Sequence, residues 1–256
     1  MTGTEAVGVA EFAVATERAN GPSPIVLVCD HASNDVPARY RGLGLREADL
    51  EQHFAWDPGA LAVGRRLSEM LDAPLVCGRV SRLVIDVNRD PADPDSIVAV
   101  GEQTPVPGNQ NLSWSERRQR VADVYEPYHA ALDMLLRDRA SRGRVSVLIG
   151  VHSFTPSLHG VSRPWHCGIL FAGNRRIADA LVGALRREDG LNVGVNEPYA
   201  PSDRVYHTLS RHGDSKGLAT AMIEIRNDLV VGADEQNAWA RRLARALEAA
   251  IEGTVP

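Results

Sequence analysis

At 256 residues, with hydrophobic residues at 44% and charged ones at 24%, the chain has a soluble globular composition and the length to bury a sizeable core in one α/β domain. A formal net charge of -5 and a pI near 5.9 exclude the global basic field that would draw nucleic acid or an anionic membrane. Cys29, Cys77 and Cys167 are far apart and none lies in a C-x-x-C pair, which excludes a disulfide framework, and no window approaches the roughly 18 apolar residues of a membrane span.

Residues 1–24 are small and polar, end in Gly-Pro-Ser-Pro and carry no basic-then-apolar leader. They read as a lead-in to a single α/β domain over 25–256 in a cytoplasmic protein with buried, inert thiols. Residues 25–29, Ile-Val-Leu-Val-Cys, form a bare apolar run that leads to Asp30 and His31 and then into a turn-rich exit. A run of this kind is the pattern of a parallel strand buried on both faces. Helical spacing follows over 46–54 and 59–71, the second with Leu61, Val63, Leu67, Met70 and Leu71 as its apolar stripe. Between them Asp57, just ahead of a proline and a helical pattern, is either the N-cap of that helix or a ligand held at the edge of the sheet.

Strands are predicted over 74–77 and 79–88, the second running through apolar residues 83–87 into Asn88 and Arg89. Residues 90–111 are rich in Pro, Gly, Asp and Asn without apolar periodicity. A loop this long in a compact domain is usually functional, and it is expected to cover the site. Ser113 and Glu116 stand in capping-box spacing at the start of a long helix through Arg139, where Pro127 predicts a kink near Tyr125. A strand over 145–151 runs into His152 and Ser153 and a rim loop over 152–165; a strand over 168–171 and a helix over 174–187 follow. Val193 opens an extended segment ending in a turn at Pro198 and Tyr199, and 206–217, with His207, Arg211 and His212, reads as short and polar. The last strand, 221–226, carries Glu224 and Arg226, and an amphipathic helix over 234–252 closes the chain.

Ligands of open α/β sheets bind outside the carboxyl ends of the strands. If these runs share one sheet, His31, His152 and Glu224 meet at one rim with Arg82, Asn88, Arg89 and Arg226. The chain has no G-x-S-x-G elbow, no G-x-x-x-x-G-K-[ST] loop and no G-x-G-x-x-G, so serine-hydrolase and nucleotide readings lose their anchors. What remains is His31, Asp57, His152 and Glu224, and two imidazoles with one carboxylate are a recurrent catalytic zinc set with one position left for water. Zinc brings the pKa of such a water to about 7 and polarises a carbonyl, as amide hydrolysis demands. A second carboxylate would move the proton, and the arginines would anchor a substrate carboxylate. Each piece has a plainer reading. A strand-end His can be a hydrogen-bonded structural residue, Glu224 and Arg226 an ion pair, and Asn88-Arg89-Asp90 the start of a turn. His53, His129, His159 and His212 read as surface or packing residues.

VCDHASNDVP, HFAWDPGA, SRLVIDVNRDP, YEPYHAAL, GVHSFTP, RPWHCGIL, NEPY and MIEIRND, in that order, resemble the N-formylglutamate amidohydrolase family over about residues 25–239. The resemblance implies a three-layer α/β/α sandwich around a mixed, mostly parallel sheet, like that of the zinc-dependent exopeptidases. It implies His31 and His152 as metal ligands, Glu224 as general base or acid, and Arg82, Asn88 and Arg89 facing a substrate carboxylate. The chain departs from the exopeptidase pattern at Asn34, where a Glu usually follows the first His by three residues. Asn is a poor zinc ligand, so the third ligand is expected from Asp57, with Asp30 and Asp35 as the other candidates. The activity expected is hydrolysis of the C–N bond of a small anionic N-acyl amino acid, N-formylglutamate to glutamate and formate. It would depend on Zn2+ or another divalent metal, with Arg226 or a loop donor helping to stabilise the oxyanion. An exopeptidase or deacylase with a larger acyl pocket, and a non-catalytic binding module on the same fold, are the alternatives; the oligomeric state is open.

Overall fold

In a computed structural model of the chain, residues 12–253 are described. Seven strands form one sheet: β1 (Val14–Glu17), β2 (Ile25–Cys29), β3 (Leu75–Gly78), β4 (Val147–Phe154), β5 (Cys167–Leu170), β6 (Val193–Val195) and β7 (Ala219–Arg226), in the order β1-β3-β2-β4-β7-β5-β6. The central strands β3, β2, β4 and β7 are mutually parallel; β1 runs against β3, and β5 and β6 run against β7. This is a mixed α/β sheet. β2 and β4 are buried along their whole length, which is why their sequences show little alternation.

Successive side chains still go to opposite faces. Ile25, Leu27, Cys29, Ile149, Val151, Ile223 and Ile225 meet helices α1 (Ala60–Leu71), α4 (Arg176–Leu185) and α6 (Ala233–Glu252) in one core layer. Val26, Val28, Leu148 and Met222 meet a second layer of buried loops with α3 (Glu126–Ser141) and α5 (His207–His212). α2 (Trp114–Arg120) precedes α3 and opens on the expected capping box, in which Glu116 N–H donates to Ser113 Oγ and Ser113 N–H to Glu116 Oε2. The kink expected near Tyr125 takes the form of a π-helical turn at Val121–Tyr125, because Pro127 has no N–H to offer the Asp123 carbonyl.

Four expectations change. Residues 79–88 are not a strand: Leu83 N–H bonds Ser81 Oγ, Val84 N–H bonds Ser81 O and Asp86 N–H bonds Ser96 O, so the segment coils through turns. Leu83, Val84, Ile85 and Val87 are nonetheless buried, and a short buried run looks the same whether its backbone is extended or turned. The helix expected over 46–54 shrinks to one turn at Glu47–Leu50. Val14–Glu17, within the expected lead-in, is an edge strand of the sheet, while residues 1–11 of that segment lie outside the described residues. Residues 206–217 contain α5. Cys29, Cys77 and Cys167 are free and buried, and among the described residues no helix is long and apolar enough to cross a membrane.

Candidate active site

Parity along the strands selects the site. His152 and Glu224 are paired partners in the parallel β4–β7 ladder and share the face of Met222 and Leu148. Asp30 and His31 follow the last residue of β2. Asp57 arrives from the connection into α1. The N-cap of that helix is Gly59, at φ +81 and without a side-chain cap, and a Cβ there would run into Val230. Asp57 therefore does not spend its carboxylate on capping. Its N–H bonds the His31 carbonyl at 2.9 Å, which ties the two segments together.

One ligand atom each from His31, Asp57 and His152 lies within 4.8 Å of the others, all three residues being buried. Asp57 Oδ2 sits 2.9 Å from His152 Nδ1 and 3.4 Å from His31 Nδ1. The outer nitrogens are held by carboxylates: His31 Nε2 by Asp86 Oδ1 at 2.7 Å, and His152 Nε2 by Asp30 Oδ2 at 3.0 Å. A carboxylate only accepts, so each Nε2 carries a proton; each Nδ1 faces Asp57 Oδ2, and a cation bound between them would take the place of the Nδ1 proton. Such Nε2 pairing is the carboxylate–histidine support common around metal ions. Asp30 in turn accepts from Tyr128 Oη at 2.6 Å and Thr208 Oγ1 at 2.8 Å. The donor set fits a divalent cation such as zinc, with two imidazoles and one carboxylate converging.

Charge supports the same fit. Burial pushes Asp57 and Asp30 up, but the bonds and charges of the two histidines outweigh it and hold both carboxyls below the usual range, Asp57 well below. Burial lowers His31 and His152, yet the surrounding carboxylates win and raise both, His152 well above its ordinary value. Three buried carboxylates thus favour positive charge at the centre. Glu224 behaves in the opposite way. Only 4% exposed, with Oε2 lacking a hydrogen-bond partner among the described residues, it is pushed up to about 7 by burial, against the pull of His152, His31 and Arg82.

His31, Asp57, Arg82, Asn88, Arg89, His152 and Glu224 all line one cavity of about 220 Å³. The structure spends some of them differently from expectation. Arg82 reaches Asp57 Oδ1 and Asp86 Oδ2, both at 3.3 Å, and Arg89 lies 3.6 Å from Asp86 Oδ2. Asn88 gives its amide to the backbone, donating to Val205 O and accepting from Thr208 N–H at 2.9 Å. Arg226 is not at the cavity: its Nε pairs with Asp228 at 2.8 Å and its Nη1 reaches the Arg163 and Trp165 carbonyls. Its side chain leaves the rim because these loop acceptors lie beside the end of β7. Asp35 is exposed, and Asp30 supports His152 from outside the ligand group.

Sequence reasoning missed Asp86, 55 residues from its partner His31, and His53, whose Nε2 bonds Ser153 O at 2.6 Å on the cavity wall. It also missed Tyr128 and Thr208. The motifs HFAWDPGA, SRLVIDVNRDP and YEPYHAAL contain three of these four positions, His53, Asp86 and Tyr128, the only sequence signal that could have found them. The cover expected over 90–111 is present, with Asp95, Val98, Val100, Gly101 and Glu102 on the wall.

Among the described residues Ser153 is the one serine on the wall, and it donates its hydroxyl proton to Pro58 O rather than to a base, so it is not an activated nucleophile. A mixed α/β sheet whose strand ends gather a metal-capable His–Asp–His group and a free buried carboxylate defines an enzyme of the amidohydrolase class. The chain belongs to the N-formylglutamate amidohydrolase family, whose sequence profile matches residues 23–231. It is similar to a gene product of Agrobacterium tumefaciens, with 41% identity and a TM-score of 0.92 over 95% of this chain and 96% of that one. The N-formylglutamate amidohydrolase from Ralstonia eutropha shares the fold, with 18% identity and a TM-score of 0.74 over 94% of this chain and 98% of that one. No curated protein matches the chain.

Proposed function

We propose that this chain hydrolyses the C–N bond of an N-acyl amino acid, N-formylglutamate being the substrate that fits best, with a divalent metal, zinc by preference, held by His31, Asp57 and His152. The observation that carries this reading is Glu224: a buried carboxylate with a free oxygen, in register with His152 at the cavity wall. A metal bound there would polarise the acyl oxygen and acidify a water toward neutrality. Glu224 takes the proton of the attacking water and returns it to the departing amine nitrogen, so that amide and water become formate and glutamate. Arg82 and Arg89 present guanidinium groups to a substrate carboxylate from the wall of the same cavity.

Glu224→Gln keeps shape and removes the proton acceptor. The variant is expected to retain metal and substrate binding and to lose about two to four decades of single-turnover rate. Metal analysis run beside the kinetics separates the outcomes, since loss of metal would make Glu224 a ligand and a rate near wild type would end its role. A panel of N-formyl and N-acetyl amino acids tests the acyl group.

A further inference from the structure

With Arg226 turned away, the acyl oxygen needs another donor, and the NEPY turn supplies one. Tyr199 lines the same cavity as Glu224 and His152. Its turn is held close: Gly168, the β5 partner of Glu224, has the Glu197 carbonyl packed where a Cβ would stand, and Pro198 Cδ lies 3.3 Å from that same position. No side chain can separate this turn from the strand position next to Glu224.

The phenol's hydrogen bonding is set from behind. Arg163 Nη1 donates to Tyr199 Oη at 3.0 Å, and the guanidinium lies 4.6 Å from the Tyr199 ring centroid. A guanidinium only donates, so the phenol oxygen accepts and its single O–H remains for another acceptor. Among the described residues Tyr199 donates that proton to nothing. Arg163 itself is 6% exposed, and its other side-chain bonds go to Thr155 O at 3.5 Å and Thr155 Oγ1 at 3.3 Å. Among the described residues no carboxylate lies in ion-pair range of it. A buried cation without a counter-ion is costly, and a negative charge forming at Tyr199 would offset that cost only during reaction.

We propose that the Tyr199 hydroxyl donates a hydrogen bond to the acyl oxygen of the substrate as negative charge develops there, with Arg163 as its positioning residue. The inference rests on the reading of this chain as an amidohydrolase of N-acyl amino acids. It assigns to Tyr199 the electrophilic part of the reaction, while Glu224 carries the proton.

Tyr199→Phe removes only the hydroxyl. It is expected to lower kcat by about 10²–10³, the usual cost of one oxyanion donor, with KM within about threefold. Binding of a tetrahedral phosphonamidate analogue of the substrate, measured by calorimetry, should weaken by a similar factor, while glutamate binding and metal content stay at wild-type levels. Arg163→Met should give a partial loss and the double variant should be no worse than Tyr199→Phe alone, since the two act as one unit. Arg163→Lys, which keeps a charged donor, should recover part of the rate, a rescue that a purely structural role would not produce. An unchanged kcat and unchanged analogue affinity in Tyr199→Phe would overturn the inference. So would a KM rise at constant kcat confined to dicarboxylate substrates, which would make Tyr199 a carboxylate anchor. A wild type inert toward the whole acyl panel defeats the amidohydrolase reading and this inference with it, whereas an active wild type with an undiminished Tyr199→Phe defeats the inference alone.

Discussion

Two pairs of buried histidines can be set side by side. His31 and His152 have ring centroids 5.1 Å apart and are 3% and 2% exposed; His129 and His212 are also 5.1 Å apart and both 3% exposed. Burial and spacing are the same, and the chemistry is opposite. The first pair is flanked by Asp30, Asp57 and Asp86, and its imidazoles are raised. Among the described residues the second has no carboxylate in hydrogen-bond contact. His129 Nε2–H donates to Val87 O at 2.9 Å, so its Nδ1 accepts from His212 Nε2–H at 2.8 Å and His212 Nδ1 is left buried without a partner. Burial, then each ring's cationic neighbours, lower His129 to about 3 and His212 to about 4. What makes a buried imidazole a candidate ligand here is therefore its carboxylate company, not its depth.

The sharpest way to break the contrast is to remove the shared carboxylate. Asp57→Ala should leave a folded protein that retains no metal and has lost at least about three decades of activity, in keeping with several kcal/mol of lost charge stabilisation. Retained metal at full occupancy, measured on protein purified without chelators, would put the centre elsewhere. A smaller effect is expected one step out. Asp86→Asn and Asp30→Asn keep a hydrogen-bond acceptor but weaken the hold on His31 and His152, and each should cost about 10–100-fold in metal affinity or activity. The corresponding removal at the other pair, His212→Gln, should do neither.

What the second pair governs is acid stability, which is read in the folding equilibrium and in neither metal affinity nor rate. Its histidines are neutral when folded, with values depressed to about 4 and about 3, while the unfolded chain takes protons near 6.5. Below about 6.5 the unfolded state binds more protons, so the contribution is complete above that pH and is lost as the pH falls toward 4 and 3. Urea titrations across this window should show a slope of up to about 1.4 kcal/mol per pH unit for each histidine, reduced by one such share in His212→Gln. A variant with the wild-type slope would contradict the assignment.

The central frame of the molecule was legible because its signals are local. Residues 25–29 were read with the boundaries of β2, the Ser113 and Glu116 pair marked the start of α2, and the polar residues after each apolar run marked one rim. Asp57 was readable as one of two things, and a glycine at the true cap position decided between them. What was not legible depends on contacts far along the chain. Asp86 sat inside a run that looked like a strand, and only the Ser81 and Ser96 hydrogen bonds coil that run so that its carboxylate meets His31. Arg226 shares the strand face of Glu224, as alternation requires, but alternation says nothing of the carbonyls at 163 and 165 that draw it aside.

The β4–β7 ladder, which pairs Val147 through Phe154 with Ala219 through Arg226, has a consequence for manufacture and quality control of the protein. A slip of one residue between these strands would turn Glu224 into the layer now filled by Ile223 and Ile225, and the same slip would unpair it from His152. A slipped species could keep its strands, its helices and its circular dichroism while having no reaction centre. Specific activity per mole of folded protein would then serve as a gauge of strand alignment, one that spectroscopy of secondary structure cannot provide.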